Sequence, residues 1–360
     1  MRLEKPLPPG STIGILGGGQ LGRMLTLAAA RLGIKCHIYA PEVDSPAFQV
    51  AAAHSIAPYD DWEALARFAA SVELVTYEFE NVPAATAAFL AARVPLAPNA
   101  EALATAQDRV SEKTFISGLG IAVAPFAAVN SVAELDEALV RMGRPAILKT
   151  RRFGYDGKGQ SKIDRQKAAA TALAEIDLAP AIREGFGSFG HGVSVIAARG
   201  WDGAVAGYDG PLNRHENHIL ATSTVPCGLD PALEAEAKAI AARILTALDY
   251  IGVMGIELFA GQFGLMVNEI APRVHNSGHW TMDACLVSQF EQHIRAVCGW
   301  PLGDPARHSD VVMTNLLGEA MQEWQRLARE PGVGLHLYGK SEARRGPKMG
   351  HYNRPPPRQA

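Results

Sequence analysis

The chain has 360 residues, of which 48% are hydrophobic, and its formal net charge is −3. This length predicts two or three domains of roughly 100–200 residues, each with enough apolar sequence for a core. The near-neutral charge argues against a global basic surface for nucleic acid or for an anionic membrane. The four cysteines are scattered and none forms a C-x-x-C pair, which argues against zinc and dithiol redox sites.

The N-terminus lacks the apolar segment of a signal peptide, and no stretch reaches 18 uncharged apolar residues. We therefore expect a cytoplasmic protein.

The N-terminal sequence predicts a doubly wound parallel sheet. An apolar strand, Thr12–Leu16, leads into a glycine-rich run at 17–22, and an alanine-rich helix extends to about Leu32. Further short apolar strands at 35–39, 74–77 and 94–97 continue a βαβ pattern. We predict a Rossmann-like domain over residues 1–100.

Three further units are predicted after this domain. Residues 101–187 hold a single linker helix from Ala100 to about Leu119 and a small α/β lid. Residues 188–304 form a central α+β domain with antiparallel strands, and residues 305–360 form a small C-terminal β domain. The predicted fold class is α/β, with a parallel N-terminal sheet followed by a lid, a central antiparallel sheet and a closing β module.

Two glutamates lie in a predicted hairpin that spans residues 253–270 and turns at 261–264. If the strands pair symmetrically about Phe263, Glu257 lies opposite Glu269. Directly opposed like charges destabilise a sheet. A protonated carboxyl, a bulge or a divalent cation would relieve the repulsion. We favour Mg²⁺, because this ion prefers carboxylate oxygens together with substrate phosphates.

The first glycine-rich run, G-G-G-Q-L-G at 17–22, matches the dinucleotide fingerprint, and Glu42 lies about 20 residues further on. Taken alone, this run would support an NAD-dependent oxidoreductase. Glycines at such a turn also permit close packing of strand and helix, and a helix N-terminus binds any phosphate. The run therefore leaves the ligand open.

The second glycine-rich run, G-Y-D-G-K-G-Q at 154–160, predicts a phosphate-binding loop. Its three glycines allow backbone N–H groups to approach phosphate oxygens, and Lys149 and Lys158 add positive charge. A flexible surface hairpin is the alternative. In the phosphate-binding interpretation the loop closes over a nucleotide and excludes water.

Polar residues also mark two further sites. Glu184, at a strand end, is a candidate partner for a ribose, although surface glutamates are common. Arg273, His275 and Asn276 lie in a short Gly/Ser loop and form a set suited to anions, with a solvated loop as the alternative. We expect His275 to orient an oxyanion rather than bind metal, because the nearby ligands are hard carboxylates.

The order of Lys149, the glycine-rich loop, Glu184, Glu257 and the Asn268-Glu269 pair resembles that in ATP-grasp ligases. The resemblance is closest to the 5-(carboxyamino)imidazole ribonucleotide synthase family of purine biosynthesis, and it covers roughly residues 10–352. The runs that carry it are 17–24, 107–109, 154–160, 268–280, 338–340 and 348–351.

The resemblance implies an ATP-dependent carbon–nitrogen ligase. In that family bicarbonate attacks the γ-phosphate of ATP, giving carboxyphosphate and ADP, and the amine of 5-aminoimidazole ribonucleotide is then carboxylated. The resemblance further implies ATP with Mg²⁺ or Mn²⁺, small-molecule substrates, a homodimer, and neither a nucleic-acid nor a membrane partner.

The resemblance also implies a role for each matching residue. The metal would lie on Glu257 and Glu269. Bicarbonate or carboxyphosphate would be held by Arg273, His275 and Asn276. The imidazole ribonucleotide would contact Tyr155, Asp156, Lys340 and Arg344. ATP would contact Arg109, Lys149, Gly154, Tyr155, Asp156, Gly157, Lys158, Gly159, Gln160, Glu184, Gly185, Phe186, Gly187, His215, Asn268 and Glu269.

Three positions depart from the family pattern. Gly192 and Leu212 stand where the family usually has Glu, and Pro347 stands where it usually has Arg. The glutamate at the position of Gly192 commonly touches the ATP ribose, and the change at Pro347 affects the expected binding of the substrate phosphate. Because the main metal and loop residues remain, we expect weakened rather than lost activity. The alternatives are another ATP-grasp carboxylase or ligase, a nucleotide-binding regulator without catalysis, and the NAD-dependent oxidoreductase.

Overall fold

The structure is a computed structural model that describes residues 1–154, 157–185, 191–262, 264–340 and 348–355. The described residues form three sheets: a parallel N-terminal sheet, a small antiparallel sheet and a nine-stranded antiparallel sheet. This arrangement confirms the predicted fold class.

The N-terminal part is a four-stranded parallel sheet with helices around it. Its strands are β1 (Thr12–Leu16), β2 (Lys35–Ala40), β3 (Ala53–Ile56) and β4 (Leu74–Tyr77), and its helices are α1 (Gln20–Arg31), α2 (Trp62–Ala70) and α3 (Ala84–Ala91). The strand order is β3–β2–β1–β4. The prediction of a strand at 94–97 is wrong, because only a single bridge joins Val75 to Leu96. Pro95 has no N–H with which to extend a ladder.

The predicted linker helix is two helices, α4 (Ala100–Gln107) and α5 (Arg109–Gly118). Asp108 between them is extended, with φ −125° and ψ 114°, and its carboxylate accepts the N–H groups of Val110 and Ser111. Arg151 pairs with the same carboxylate at 2.9 Å. An Asp at this position satisfies N–H groups that a helix start leaves unpaired, so it begins a new helix. The break sets the direction of α5.

A small α/β unit follows. Its strands are β5 (Phe126–Val129), β6 (Ala146–Thr150), β7 (Gln160–Ile163) and β8 (Ala181–Gly185), and its helices are α6 (Val132–Met142) and α7 (Ala169–Ala174). The strand order is β5–β8–β6–β7. The second glycine-rich run connects β6 to β7, with Lys149 opposite Gln160 in the ladder.

The central sheet contains the remaining strands of the described residues. They are β9 (His191–Arg199), β10 (Val205–Gly207), β11 (Leu212–Glu216), β12 (Ile219–Val225), β13 (Gly252–Gly261), β14 (Gly264–Ala271), β15 (Val311–Leu317), β16 (Gly334–Leu337) and β17 (Lys348–Arg354). The order is β14–β13–β9–β11–β12–β15–β17–β16, with β10 beside β9. The C-terminal strands therefore extend this sheet through the pairing of β15 with β12.

The central sheet packs against helices on both faces. The helices here are α8 (Pro231–Ala247), α9 (Thr281–Ala284), α10 (Gln289–Val297) and α11 (Trp324–Leu327). Val195 of β9 packs in the cluster that contains Ile240 of α8, whereas its neighbour Ile196 packs with Phe290 of α10. This alternation follows from the two-residue period of a strand.

The glutamate hairpin differs from the prediction in its turn. Gly261 pairs with Gly264, so the loop has two residues and its centre lies half a residue before the predicted one. A bulge then shifts the register by one residue, and Asn268 is the extra residue. Glu257 consequently lies opposite Glu269. The predicted opposition is confirmed, but the predicted symmetry about Phe263 is wrong.

Among the residues that the structure describes, no helix is both long and apolar enough to span a membrane.

A buried histidine joins the N-terminal sheet to the central sheet. His293 Nδ1 accepts the N–H of Val253 at 3.1 Å, and Nε2 lies 2.8 Å from Thr76 Oγ1. Since a backbone N–H only donates, Nδ1 is the acceptor and Nε2 carries the hydrogen. Burial lowers the pKa of His293 to about 3.

We predict that His293 makes stability depend on pH. Between about pH 6.5 and pH 3 the unfolded chain binds a proton that the folded chain does not, so the free energy of unfolding falls as pH falls. The slope from one such group is at most about 1.4 kcal/mol per pH unit. Urea unfolding between about pH 6.5 and pH 4.5 should show a flatter slope for His293→Gln than for wild type. Exposed His308→Gln is the control and should keep the wild-type slope. Identical slopes for all three proteins would contradict the prediction.

Candidate active site

Helix α5 carries a charged face that contacts the glutamate hairpin. Arg109, Glu112 and Lys113 have the i, i+3 and i+4 spacing that places side chains on one face. Arg109 Nη1 pairs with Glu269 Oε2 at 2.9 Å. Lys113 Nζ donates to the carbonyl of Asn268 at 3.0 Å, and Glu112 Oε1 accepts the N–H of residue 270 at 2.6 Å. Sequence reasoning missed Glu112 and Lys113, although their spacing from Arg109 was a usable signal.

Lys149 and Glu184 face each other across neighbouring strands. Lys149 Nζ lies 2.9 Å from Glu184 Oε2, and Lys113 Nζ lies 3.6 Å from the other oxygen. Burial would raise the pKa of Glu184, but the two lysines outweigh it and lower that pKa. Glu184 is 3% exposed. In this structure the carboxylate is the buried counter-charge of Lys149, because the strand register turns both side chains to one side of the sheet. The expected contact of Glu184 with the nucleotide stays a prediction.

Glu257 and Glu269 differ in electrostatic environment although they lie opposite each other. Burial and the charge of Glu269 raise the pKa of Glu257. Burial acts on Glu269 in the same direction, but Arg109 outweighs it and lowers that pKa. Their side chains are 21% and 37% exposed, so both are accessible to solvent.

The two carboxylates fit a hard divalent ion only if other oxygens complete its shell. Within the described residues, no three His, Cys, Asp or Glu side chains are grouped to hold a metal by themselves. Mg²⁺ is commonly bound through one or two carboxylates plus substrate phosphates. The donor set of Glu257 and Glu269 fits that pattern.

The loop after β14 places His275 beside Glu257. His275 Nε2 lies 3.6 Å from Glu257 Oε1, and Nδ1 lies 2.9 Å from Ser277 Oγ. Gln289 holds the backbone of His275 at both ends: its Oε1 accepts the N–H at 2.9 Å and its Nε2 donates to the carbonyl at 2.7 Å. The chain passes close to Gly255, where an added Cβ would lie 2.5 Å from the Cβ of His275. Glycine at 255 is therefore a requirement of this geometry.

Charge and burial keep the His275 ring neutral. Burial lowers its pKa to about 3, and Arg273 and Lys348 act in the same direction. Arg273 Nη2 itself pairs with Glu80 Oε2 at 2.7 Å. The structure thus brings the predicted Arg273 and His275 to one site, and it adds Glu80 as a partner that sequence reasoning missed.

Asn276 is engaged differently from the expectation. Its amide exchanges two hydrogen bonds with the amide of Asn315, at 2.9 and 2.8 Å, and both side chains are buried. Asn315 Nδ2 also donates to the carbonyl of Leu220. Asn276 consequently ties the loop to β15, and its expected contact with the anion stays a prediction.

The second glycine-rich run needs glycine for conformation and for space. Gly157 has φ +82° and faces His218, whose Cβ would lie 2.7 Å from an added Cβ. Gly159 has φ +69°, and an added Cβ there would lie 2.6 Å from Thr150 Oγ1. Arg109 Nη2 donates to the carbonyl of Gly154 at 3.2 Å, which joins the loop to the charged face of α5.

Several predicted residues lie around this centre. Gln160 begins β7, Gly185 ends β8, and Lys158 is exposed in the loop. His215 on β11 is near enough to His275 to contribute to lowering its pKa. Lys340 lies near Glu78 and Lys348, which both act on its pKa. The predicted residues outside the described ones are Tyr155, Asp156, Phe186, Gly187 and Arg344, together with Pro347.

The space beside the first glycine-rich run is occupied by the side chain of Glu78. Glu78 Oε1 accepts the N–H of Gly19 at 2.6 Å, and an added Cβ at Gly17 would lie 2.7 Å from the same oxygen. A carboxylate at a helix N-terminus takes the position that a pyrophosphate takes in a dinucleotide site. The glycines therefore serve the approach of Glu78, and the structure argues against the NAD alternative.

Three family models match successive parts of the chain. The ribonucleotide synthetase preATP-grasp domain matches residues 11–107, and the ATP-grasp domain matches residues 114–290. The phosphoribosylaminoimidazole carboxylase C-terminal domain matches residues 311–354.

Named relatives and solved structures agree with these matches. The N5-carboxyaminoimidazole ribonucleotide synthase of Brucella melitensis is 51% identical over 355 residues, covering 98% of each chain. An ADP complex of an N5-carboxyaminoimidazole ribonucleotide synthetase has a TM-score of 0.94 and 40% identity, covering 98% of this chain and 94% of that chain. The Aspergillus clavatus enzyme, solved with ADP and 5-aminoimidazole ribonucleotide, has a TM-score of 0.90 and 30% identity, with coverages of 97% and 94%. The chain belongs to the N5-carboxyaminoimidazole ribonucleotide synthase family of ATP-grasp enzymes.

Proposed function

We infer that this chain is an ATP-dependent carbon–nitrogen ligase that converts 5-aminoimidazole ribonucleotide into N5-carboxyaminoimidazole ribonucleotide in purine biosynthesis. We propose bicarbonate as the second substrate, with ADP and phosphate as the other products. The observation that carries the proposal is the opposed pair Glu257 and Glu269, which lies between Arg109 on one side and His275 on the other.

The ATP side of the proposed site is a set of cations already held in place. Arg109 and Lys149 are oriented by Glu269 and Glu184, so their charged groups need little rearrangement to meet phosphate oxygens. The run 154–160 would cover the phosphates, and Gly185, His215 and Asn268 would lie along the nucleotide. Mg²⁺ or Mn²⁺, when bound to Glu257 and Glu269, would neutralise charge on the phosphate oxygens.

The bicarbonate side uses the neutral imidazole and a guanidinium. Arg273 would bind the anion, and His275 would donate one hydrogen bond to it. A bicarbonate oxygen attacks the γ-phosphorus, the bond to ADP breaks, and carboxyphosphate forms. The amine nitrogen of the ribonucleotide then attacks the carboxyl carbon, the bond from that carbon to the phosphate oxygen breaks, and the amine releases one proton as phosphate leaves. Positioning and charge neutralisation supply most of the rate in this scheme, so no strong base is required.

The ribonucleotide would enter from the side of the first glycine-rich run. Lys340 lies near Glu78 and Lys348 there, which is a setting suited to a phosphate monoester. Gln49 Nε2 donates to the carbonyl of Gly339 at 2.8 Å and so fixes the segment that carries Lys340. We propose that Tyr155, Asp156 and Arg344 complete this part of the site.

We also propose the organisation and setting of the protein. The proposed units are 1–100, 101–187, 188–304 and 305–360. The family-model spans support the boundaries near 100 and 305, whereas the boundary at 187 divides the span 114–290. We propose a homodimer located in the cytoplasm, acting on small molecules alone.

The function is tested by phosphate release from ATP. Wild-type protein should release phosphate only when both bicarbonate and 5-aminoimidazole ribonucleotide are present. Glu269→Gln should lower the rate strongly and lose the Mg²⁺ dependence of ATP binding, because one of the two carboxylates is gone. Titration of ATP with and without Mg²⁺ measures this. Equal metal dependence in both proteins would remove Glu269 from the metal site, and phosphate release that ignores the ribonucleotide would refute the activity.

Position 192 offers a gain-of-function test. An added Cβ at Gly192 meets only the carbonyl of Asn213, at an ordinary 3.6 Å, so a larger side chain has space. Gly192→Glu restores the residue usual in the family and should lower the KM for ATP about 5-fold, the worth of roughly one hydrogen bond. Gly192→Gln is the matched control for charge. A KM that stays the same or rises in Gly192→Glu would contradict the proposed nucleotide position.

Position 255 tests the placement of His275. Gly255→Ala puts a methyl group where the His275 side chain lies, so kcat should fall by about 10-fold or more while the fold persists. Gly207→Ala on β10 is the control, because its added Cβ meets Lys238 at an ordinary 3.5 Å. Steady-state kinetics and circular dichroism provide the comparison. Full activity in Gly255→Ala would show that the ring position is unimportant.

A further inference from the structure

A hydrogen-bonded chain of buried side chains runs across neighbouring strands on one face of the central sheet and ends at His275. Ser223 Oγ donates to Asn213 Oδ1 at 2.7 Å, and Asn213 Nδ2 donates to Ser194 Oγ at 2.9 Å. Ser194 Oγ donates to Ser277 Oγ at 2.6 Å, and Ser277 Oγ lies 2.9 Å from His275 Nδ1. All three serines have no exposed surface. The site described above uses none of Ser194, Asn213 and Ser223.

Strand register explains why these side chains meet. Asn213 lies directly opposite Ser223 in the pair β11–β12, and Ser194 lies directly opposite Glu257 in the pair β9–β13. Opposed residues of neighbouring strands project to the same face of a sheet. The hydrogen-bonded chain therefore lies on the face that carries His275, and three strands contribute to it.

The His275 end of the chain fixes the direction of every hydrogen bond. The N–H of Ser277 points to His275 Nδ1 at 3.4 Å, and a backbone N–H only donates. Nδ1 is therefore an acceptor, and the ring hydrogen lies on Nε2, which faces Glu257 Oε1 at 3.6 Å.

The rest of the chain agrees with this direction. Ser277 Oγ gives its hydrogen to Nδ1, so towards Ser194 it accepts. Ser194 gives its hydrogen to Ser277, so it accepts from the amide of Asn213. Asn213 then presents its oxygen to Ser223. Each hydroxyl and the amide has one consistent assignment.

We propose that Ser194, Asn213 and Ser223 are positioning residues that keep a ring hydrogen of His275 on Nε2 and off Nδ1, so that the Nε2–H donates towards the proposed substrate site. The proposal rests on the function inferred above only in taking the recipient to be the anionic second substrate. The wrong tautomer would present a lone pair to that anion. Partners that orient a metal-bound histidine are commonly worth about 10- to 100-fold in activity, and we expect an effect of that size for His275.

Asn213→Asp provides the sharpest variant, because an ionised Asp of the same shape only accepts hydrogen bonds. Ser194 would then turn its hydrogen to position 213, and Ser277 would turn its own to Ser194. The 2.9 Å contact with Ser277 Oγ would then require the ring hydrogen on Nδ1, at the loss of the longer 3.4 Å contact from the Ser277 N–H. Asn213→Asp should therefore invert the tautomer at about pH 9, where the new carboxyl is ionised.

The experiment is ¹⁵N NMR of histidine-labelled protein without substrates, with the His275 signals assigned by their loss in His275→Gln. Wild type should show the Nε2–H tautomer. Asn213→Asp should show the Nδ1–H tautomer and a kcat lowered about 10- to 100-fold, with a much smaller change in the KM for ATP. Thr222→Ala is the matched control, because this hydroxyl belongs to the neighbouring position of β12, on the opposite face.

Two results would overturn the proposal: an Nδ1–H tautomer in wild type, or an unchanged tautomer in folded Asn213→Asp. If Asn213→Asp does not fold, the wild-type spectrum still decides. The tautomer is measured without turnover. A failure of the proposed function would therefore leave the NMR result valid, and a failure of the tautomer proposal would leave the proposed function standing.

Discussion

The whole site depends on a sheet that holds two carboxylates against each other. Side chains directly opposed in an antiparallel pair have Cβ atoms about 4.5–5.5 Å apart. At about 5 Å and an effective dielectric constant of about 20, two like charges repel by about 3 kcal/mol, and the partial exposure of Glu257 and Glu269 reduces this. Arg109 contacts Glu269 at 2.9 Å and offsets part of the repulsion. The bulge at Asn268 creates this opposition, and a divalent cation is the natural partner for it.

Around the pair, cations and anions of the protein alternate. Arg109 lies on Glu269, Lys149 lies on Glu184, Lys113 lies near Glu184, and Arg273 lies on Glu80. Buried charges are costly unless paired, so these contacts keep the cations charged and oriented. When a triphosphate enters such a site, its oxygens replace the carboxylates as partners of these cations. The residues need little movement, which is the basis of electrostatic preorganisation.

The His275 loop, on the other side of the glutamate pair, is also held in one orientation. The His275 backbone is held by Gln289, its ring packs over Gly255, and its Nδ1 receives hydrogen bonds from Ser277. Further support comes from the N-terminal sheet, where Glu78 occupies the start of α1 instead of a ligand. A glycine-rich turn of this kind thus joins two parts of the molecule, and its resemblance to a dinucleotide site is limited to the backbone.

The sequence by itself determined the order of most strands and helices, the hairpin that carries the two glutamates, and the family to which the chain is similar. These features follow from short-range rules: apolar period, turn glycines and residue types at fixed spacing. Only the tertiary structure decided which groups pair. It placed Glu184 between Lys149 and Lys113, joined Asn276 to Asn315, and divided one predicted helix at Asp108. Such pairings join residues that are far apart in the chain, and a one-residue bulge changes them. Local patterns carry no record of register, so the partners of each polar group emerge only when the sheets are assembled.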